Sequence, residues 1–384
     1  MARQIGVSPG TLRRWVRDGV VPLRNGELTP SAVAHARMVS RLRERGYPLS
    51  VIKEASQTGR LAFGYVEDMF PSADAAYTLD EVAGETRLEP ALIERIWSAI
   101  GLPSRTLEAL SEDDLQLLRY VASVLAAGLP LVAFLQAVRV YGQAIAQIAD
   151  AEVRLFHLYV HEPLIRGGVP GLEMAEEMEG LASELLPLAG PIMGHLHQRF
   201  LQHFVEQDVV GHLEDEGEEE LDLGRLRVAI AFADLAGYTR LTEEAGEEQA
   251  LDLVERFVES VETTLPDEAR VVKTIGDAVM IVSSDAAHLT EWAVGFQELQ
   301  TERPFPRIGI HCGAALYRDG DYFGRAVNIA SRVGARAAGR EVLVTRDVVD
   351  AGPAHLRFQR IGEVRLKGFK GATELYLAQA REPS

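Results

Sequence analysis

The sequence predicts a multidomain protein, with an all-α N-terminal region followed by an α/β C-terminal domain. Three observations carry that expectation. Apolar residues recur at helical spacing throughout residues 112–212, whereas after residue 224 short apolar runs of strand length alternate with helical stretches. Between them lies "EDEGEEELD" (214–222), almost free of apolar residues and flanked by Gly211 and Gly224, which marks a boundary. The helical part also repeats itself at an offset of about 82 residues.

Composition narrows the class. At 47% hydrophobic and 25% charged, the 384 residues read as an ordinary globular chain. A single cysteine, Cys312, excludes a disulfide framework and suits a reducing cytosol. The first 18 residues carry Arg3, Arg13, Arg14 and Arg17 and no apolar h-region, so secretion is not expected. The most apolar window, 120–138, is split by Gly128 and Pro130, so no membrane span and a cytoplasmic location are expected. Residues 1–60 hold eleven Lys/Arg against four Asp/Glu, a local charge of +7 in a chain of net charge −18. Such asymmetry suggests different partners for the two ends.

The first copy of the duplication fills residues 1–70. "VSPGTLRRWVRDGVVP" (7–22) corresponds to "LEPALIERIWSAIGLP" (88–103), and "LTPSAVAHARMVSRLRERGYPLSVI" (28–52) to "LSEDDLQLLRYVASVLAAGLPLVAF" (110–134). Each copy reads as helices broken at Gly-x-Pro, with Thr29 and Ser111 as N-caps. With its wing-like "LRNGEL", the first copy resembles the winged helix-turn-helix of MerR-type regulators. That resemblance implies a recognition helix bearing Arg13, Arg14 and Arg17, with Arg24 near the wing, all available to DNA. The second copy has exchanged Arg13 for Glu94, Arg17 for Ser98 and Arg43 for Leu125, so it is expected to pack against protein instead. Its opening "YTLDEV" (77–82) has no counterpart before Met1, which implies either a start upstream or a truncated module.

Residues 71–212 form the second domain, beginning with this diverged copy. They resemble the regulatory domain of acid-responsive actinobacterial adenylyl cyclases. A last helix at roughly 192–210 carries Ile192, Leu196, Phe200 and Phe204 as an apolar seam leading into the acidic linker, 213–224. Among the ten histidines, His195, His197, His203 and His212 are candidates for a pH-sensitive joint, because imidazole titrates near neutrality beside the glutamate run. His157 and His161 have helical ligand spacing but would need a third ligand to hold a metal.

Residues 225–384 form the third folded part. "RLRVAIAFAD" is a strand ending in Asp234, followed by the turn "LAGYT" and a helix at 247–263. The hairpin "VVKTIGDAVMIV" (271–282), a helix at 286–300, the strand "RIGIHCG" (307–313) and "GDYFGRAVNIASRV" (320–333) follow. This order predicts an α/β sandwich with helices on one face of the sheet. "FADLAGYT", "VVKTIGDAVM", "RIGIHCG", "GDYFGRAVNIASR" and "VRLKGFKG" are similar, in order and spacing, to the motifs of class III adenylyl cyclases, over about residues 227–380. The resemblance implies a ferredoxin-like catalytic domain that converts ATP to 3′,5′-cyclic AMP and pyrophosphate.

Cyclising ATP requires a nucleophilic 3′-hydroxyl and a neutralised triphosphate, and two divalent ions held by hard carboxylates serve both needs. Asp234 and Asp277 are the matching pair, for two Mg2+ or Mn2+ ions. The turn holding Gly237 and Thr239 offers backbone N–H groups to phosphates, and Phe232 beside it is carried over as a substrate contact. By the same resemblance Lys273 and Asp321 read adenine, Asn328 orients the ribose, Arg332 stabilises the transferring phosphate and Lys367 contacts the triphosphate. The family builds each site from two chains, so a homodimer is expected. The alternatives are a DNA-binding regulator whose cyclase-like domain senses nucleotide, and a guanylyl cyclase, which the lysine at 273 argues against.

Overall fold

The computed structural model describes residues 5–23, 26–61, 77–169, 171–214 and 225–381. Arg24 and most of the acidic linker lie outside these residues. The chain divides into two compact units, residues 1–200 and 201–384.

In the first unit, α1 (Pro9–Arg17) is capped by Ser8, whose Oγ accepts from the Thr11 amide at 3.1 Å, with proline at the first helical position. Then follow α2 (Pro30–Glu44), capped by Thr29, and α3 (Leu49–Gln57). The second copy gives α4 (Leu79–Thr86), α5 (Pro90–Ile100), α6 (Glu112–Ala126) and α7 (Leu131–Phe156). Ser111 caps α6 in a full capping box with Asp114. Burial follows the duplication. Leu12, Trp15, Val39 and Ile52 are buried in the first core, and Ile93, Ile96, Val121 and Phe134 are buried at the corresponding places in the second.

A single π turn, His157–His161, joins α7 to α8 (Glu162–Arg166), and α9 runs from Gly171 to Glu214. The last helix therefore starts well before the expected residue 192. Pro187 and Pro191 lie inside it. Each removes an amide donor and crowds the preceding turn, yet the helix continues through both. The seam residues Ile192, Leu196, Phe200 and Phe204 are exposed in the single chain. Gly128, at φ +98°, and Pro130 separate α6 from α7 as expected. Among the described residues one helical run, Leu131–Arg166, is long and apolar enough to cross a membrane by length and composition.

The second unit contains β1 (Arg225–Leu235), α10 (Tyr238–Ala245), α11 (Glu247–Thr264), β2 (Ala269–Ile275), β3 (Ala278–Ser283), α12 (Ala286–Leu299), β4 (Pro306–Arg318), β5 (Asp321–Phe323), α13 (Arg325–Gly334), β6 (Val342–Thr345), α14 (Arg346–Ala351), β7 (Leu356–Arg365) and β8 (Ala372–Ala380). The sheet order is β2-β3-β1-β4-β6-β8-β7, with β5 paired to β4. Only the β4–β6 pairing is parallel among the described strands. Its first four strands have the expected ferredoxin-like order, and β6 to β8 extend it.

Helices cover both faces, which corrects the expectation of one. Ala229, Ala231 and Ala233 of β1 face a core closed by α11, α12 and α14. Val228, Ile230 and Phe232 face the opposite core, which α13 closes through Ala326 and Ala330. A strand apolar on both sides needs cover on both. The helix α13 comes unusually close to the sheet, because a Cβ placed on Gly309 of β4 would meet the Gly334 amide nitrogen at 1.9 Å.

Candidate active site

Asp234 stands at the end of β1 on the face that α13 covers, in alternation with Val228, Ile230 and Phe232. Cross-strand register decides its neighbours. Ala278 lies opposite it on β3, so the turn residue Asp277 is adjacent, and Arg307 lies opposite it on β4. The Arg307 guanidinium grips Asp234 with two nitrogens, Nε at 2.9 Å from Oδ2. Gly276, at φ +63°, supplies the left-handed first residue of the two-residue β2–β3 turn, as a II′ hairpin requires.

Burial raises the Asp277 carboxyl to about 6, and a hydrogen bond with Asp234 and its negative charge push the same way. The Arg307 charge opposes this. Two adjacent hard carboxylates, one of them reluctant to ionise, are a donor set that suits a divalent cation of the magnesium or manganese type. Among the described residues no group of three or more His, Cys, Asp or Glu could hold a metal, so such ions would rely on these two carboxylates together with substrate and water.

Lys273 reaches the same face by an irregularity. Val271 pairs with Ile281 and Lys273 with Met280, leaving Val272 as an extra residue. Arg270, opposite Val282, and Lys273, opposite Met280, therefore both lie on the face of the Val282–Met280 core. There Lys273 forms an ion pair with Asp321, whose other oxygen accepts from the Tyr322 amide at 2.8 Å. The expected base-reading pair is thus brought together.

Asn328 and Arg332 share the open side of α13, whose other side buries Ala326, Ile329, Ala330 and Val333. Among the described residues neither side chain has an internal partner. Lys367 is exposed in the turn after β7, as is Lys370. Phe232 is buried in the α13-side core, where it packs. Gly237 caps α10, and Thr239 lies in the first turn of α10 with its side chain outside the described residues. His311 and Cys312 are buried in β4, as befits structural residues. Arg307 and Arg270 were not anticipated, since only strand register reveals what they face.

In the first unit Arg13, Arg14 and Arg17 are exposed on α1. His195, His197 and His203 are exposed on α9 and do not cluster; His197 stands edge-on to Tyr141 and His203 leans on Phe204. The His212 side chain lies outside the described residues. His157 and His161 meet through their Nδ1 atoms at 3.0 Å, and the buried His161 also bonds the Gly59 carbonyl.

A sheet of this order, with two carboxylates at one strand end, a lysine–aspartate pair beside them and an asparagine–arginine helix face, defines a nucleotide cyclase domain of class III. Residues 225–380 match the adenylate and guanylate cyclase catalytic domain, and residues 23–205 match the adenylate cyclase regulatory domain. The chain is 34% identical over 247 residues to the pH-sensitive adenylate cyclase MT1302 of Mycobacterium tuberculosis (strain CDC 1551 / Oshkosh), covering 62% of this chain and 61% of that one. It is 30% identical over 354 residues to an uncharacterized protein of Mycobacterium tuberculosis (strain ATCC 25618 / H37Rv), covering 87% of each. With an adenylate cyclase of Streptomyces coelicolor (strain ATCC BAA-471 / A3(2) / M145) it shares 32% identity over 289 residues, 73% of this chain and 72% of that one. The chain belongs to the adenylate cyclase family, with a regulatory domain preceding the catalytic one.

Proposed function

We propose that the chain converts ATP to 3′,5′-cyclic AMP and pyrophosphate as a cytoplasmic homodimer, each cleft drawing residues from both copies. Asp234 and Asp277 of one copy would hold two Mg2+ or Mn2+ ions. Bound there, such ions polarise the phosphates and neutralise their charge. Lys273 and Asp321 present a donor and an acceptor to the base. The Asn328 amide orients the ribose while the Arg332 guanidinium, planar and permanently charged, takes up charge on the phosphoryl group as pyrophosphate departs. The α10 turn at Gly237 and Thr239, with Lys367, serves the triphosphate.

The observation that carries this reading is geometric. Asp234 and Asp277 adjoin at the end of β1, while Asn328 and Arg332 stand exposed on the open side of α13 with no internal partner among the described residues. Substrate-handling groups left open to solvent in one chain are available to complete a cleft with a second copy. Mixing Asp234→Ala with Arg332→Ala tests it. Random pairing makes half the dimers mixed, each with one intact cleft, so activity should return to about a quarter of wild type. Silence from verified mixed dimers would refute the reading. A parallel assay with GTP separates it from a guanylyl cyclase.

The helical region regulates by setting how two catalytic domains meet, and acidity is its signal, read by His195, His197, His203 and His212. The similarity to a relative named as pH-sensitive supports that assignment. Rate against pH for the full chain, compared with a chain carrying all four as glutamine, tests it; superimposable profiles would refute it. A second reading, DNA binding by a MerR-like first module, is favoured by the exposed Arg13, Arg14 and Arg17 on α1. A gel shift lost on mutating those three, and falling steeply with salt, is the expected result.

A further inference from the structure

We infer that Arg270 is a positioning residue for the base-reading pair, holding Asp321 through Tyr322 and tying it to the last part of α9. This deepens the proposed function and rests on its assignment of Lys273 and Asp321 to the base.

The β2 bulge at Val272 turns Arg270 and Lys273 to one face, three residues apart. From there Arg270 donates to the Tyr322 hydroxyl at 2.9 Å. Its guanidinium also lies over three aromatic rings, 5.1 Å from the centroid of Phe204, 5.9 Å from Tyr317 and 5.7 Å from Tyr322. Guanidinium over an aromatic face is attractive, and more so where water is thinned. Tyr322 is buried and directly follows Asp321, to which its own amide donates. A closed circuit results: Arg270 to Tyr322, Tyr322 to Asp321, Asp321 to Lys273, and Lys273 along β2 back to Arg270.

Phe204 brings α9 into this circuit, and Gln207, one turn on, donates to the Asp267 carbonyl just before β2. The end of α9 is therefore seated on the strand that carries the base-reading lysine. An apolar residue would fill the same edge without tying a tyrosine hydroxyl, two strands and a helix to one point.

The test uses the full chain with ATP and GTP as separate substrates. Arg270→Ala should raise KM for ATP about tenfold and lower the ATP-over-GTP ratio of kcat/KM by a similar factor, with kcat at saturation changed less than about threefold. Arg270→Lys, which keeps a cation over the rings but not the fork, should recover part of both. Tyr322→Phe removes one oxygen from a buried ring and should move KM and the ratio in the same direction, so the inference stays testable if Arg270→Ala does not fold. Phe204→Ala should do likewise. Lys273→Ala is run beside them. If Lys273→Ala collapses the ratio while Arg270→Ala and Tyr322→Phe leave KM and ratio unchanged, or lower kcat alone, the inference is overturned and the base assignment stands. If Lys273→Ala itself leaves the ratio untouched, the base assignment fails and takes the inference with it.

Discussion

Replacing Gly309 by alanine should separate α13 from the sheet. The added methyl would lie 1.9 Å from the Gly334 nitrogen, 2.4 Å from its Cα and 2.5 Å from the Val333 carbonyl carbon. All three are backbone atoms, so no side chain can turn aside. Ordinary contact begins at 3.4 Å, and a close-packed interior can meet that only if the helix retreats by about 1.5 Å. Overpacking of this kind costs about 3 kcal/mol. In a domain of this size that lowers Tm by roughly 10 °C. Asn328 and Arg332 ride on the displaced helix, and a misplacement of about 1 Å can cost about a hundredfold in turnover. Cyclic AMP formation at saturating ATP and a thermal melt of the full chain give both numbers. Wild-type turnover with a wild-type melt would refute the claim that this glycine contact sets the depth of the catalytic helix.

Two further predictions follow from the same geometry. The folded state holds Asp277 near 6 against an ordinary 3.8, so it favours the protonated form. That contribution is complete below about pH 3.8 and is lost as pH rises through about 6. Asp277→Asn, neutral throughout, should therefore melt higher than wild type at pH 7.5 in the presence of chelator, and no higher at pH 4.5, while losing cyclase activity. A wild-type-minus-mutant melting difference that does not change with pH would contradict the assignment. Separately, Ser111→Ala removes the hydroxyl half of the α6 capping box and should cost about 1 kcal/mol in the first unit. Hydrogen exchange should quicken in α6 and leave the catalytic strands unchanged; uniform quickening would oppose it.

How far these features could be read in advance depends on the range of the interaction that produces them. Local signals were dependable. Thr29 and Ser111 cap the helices they were expected to cap, and Gly128 with Pro130 breaks the apolar window. Asp234, Lys273, Asp277, Asp321, Asn328 and Arg332 stood out because charge or amide chemistry interrupts otherwise apolar motifs, and the strands and helix expected to carry them do so. What depends on register was invisible. The partner of Asp234 is Arg307, seventy-three residues away in sequence and opposite it only because β1 and β4 pair as they do. Likewise the placing of α13 on the second face needed the realisation that Val228, Ile230 and Phe232 leave that face apolar too. Prolines 187 and 191 show the converse, a strong local breaker overridden within a long helix.

The surplus residue Val272 gives β2 an odd-numbered grammar. Without the bulge, with Val272 itself paired opposite Met280, Lys273 would fall opposite Val279 and its side chain would exchange faces. Such a register would leave the sequence untouched, yet turn the lysine of "VVKTIGD" into the layer of Val279 and Ile281, away from Asp321. Chemistry here hangs on parity: the identity of a residue decides what it can do, and a count of one decides whether it is in the room.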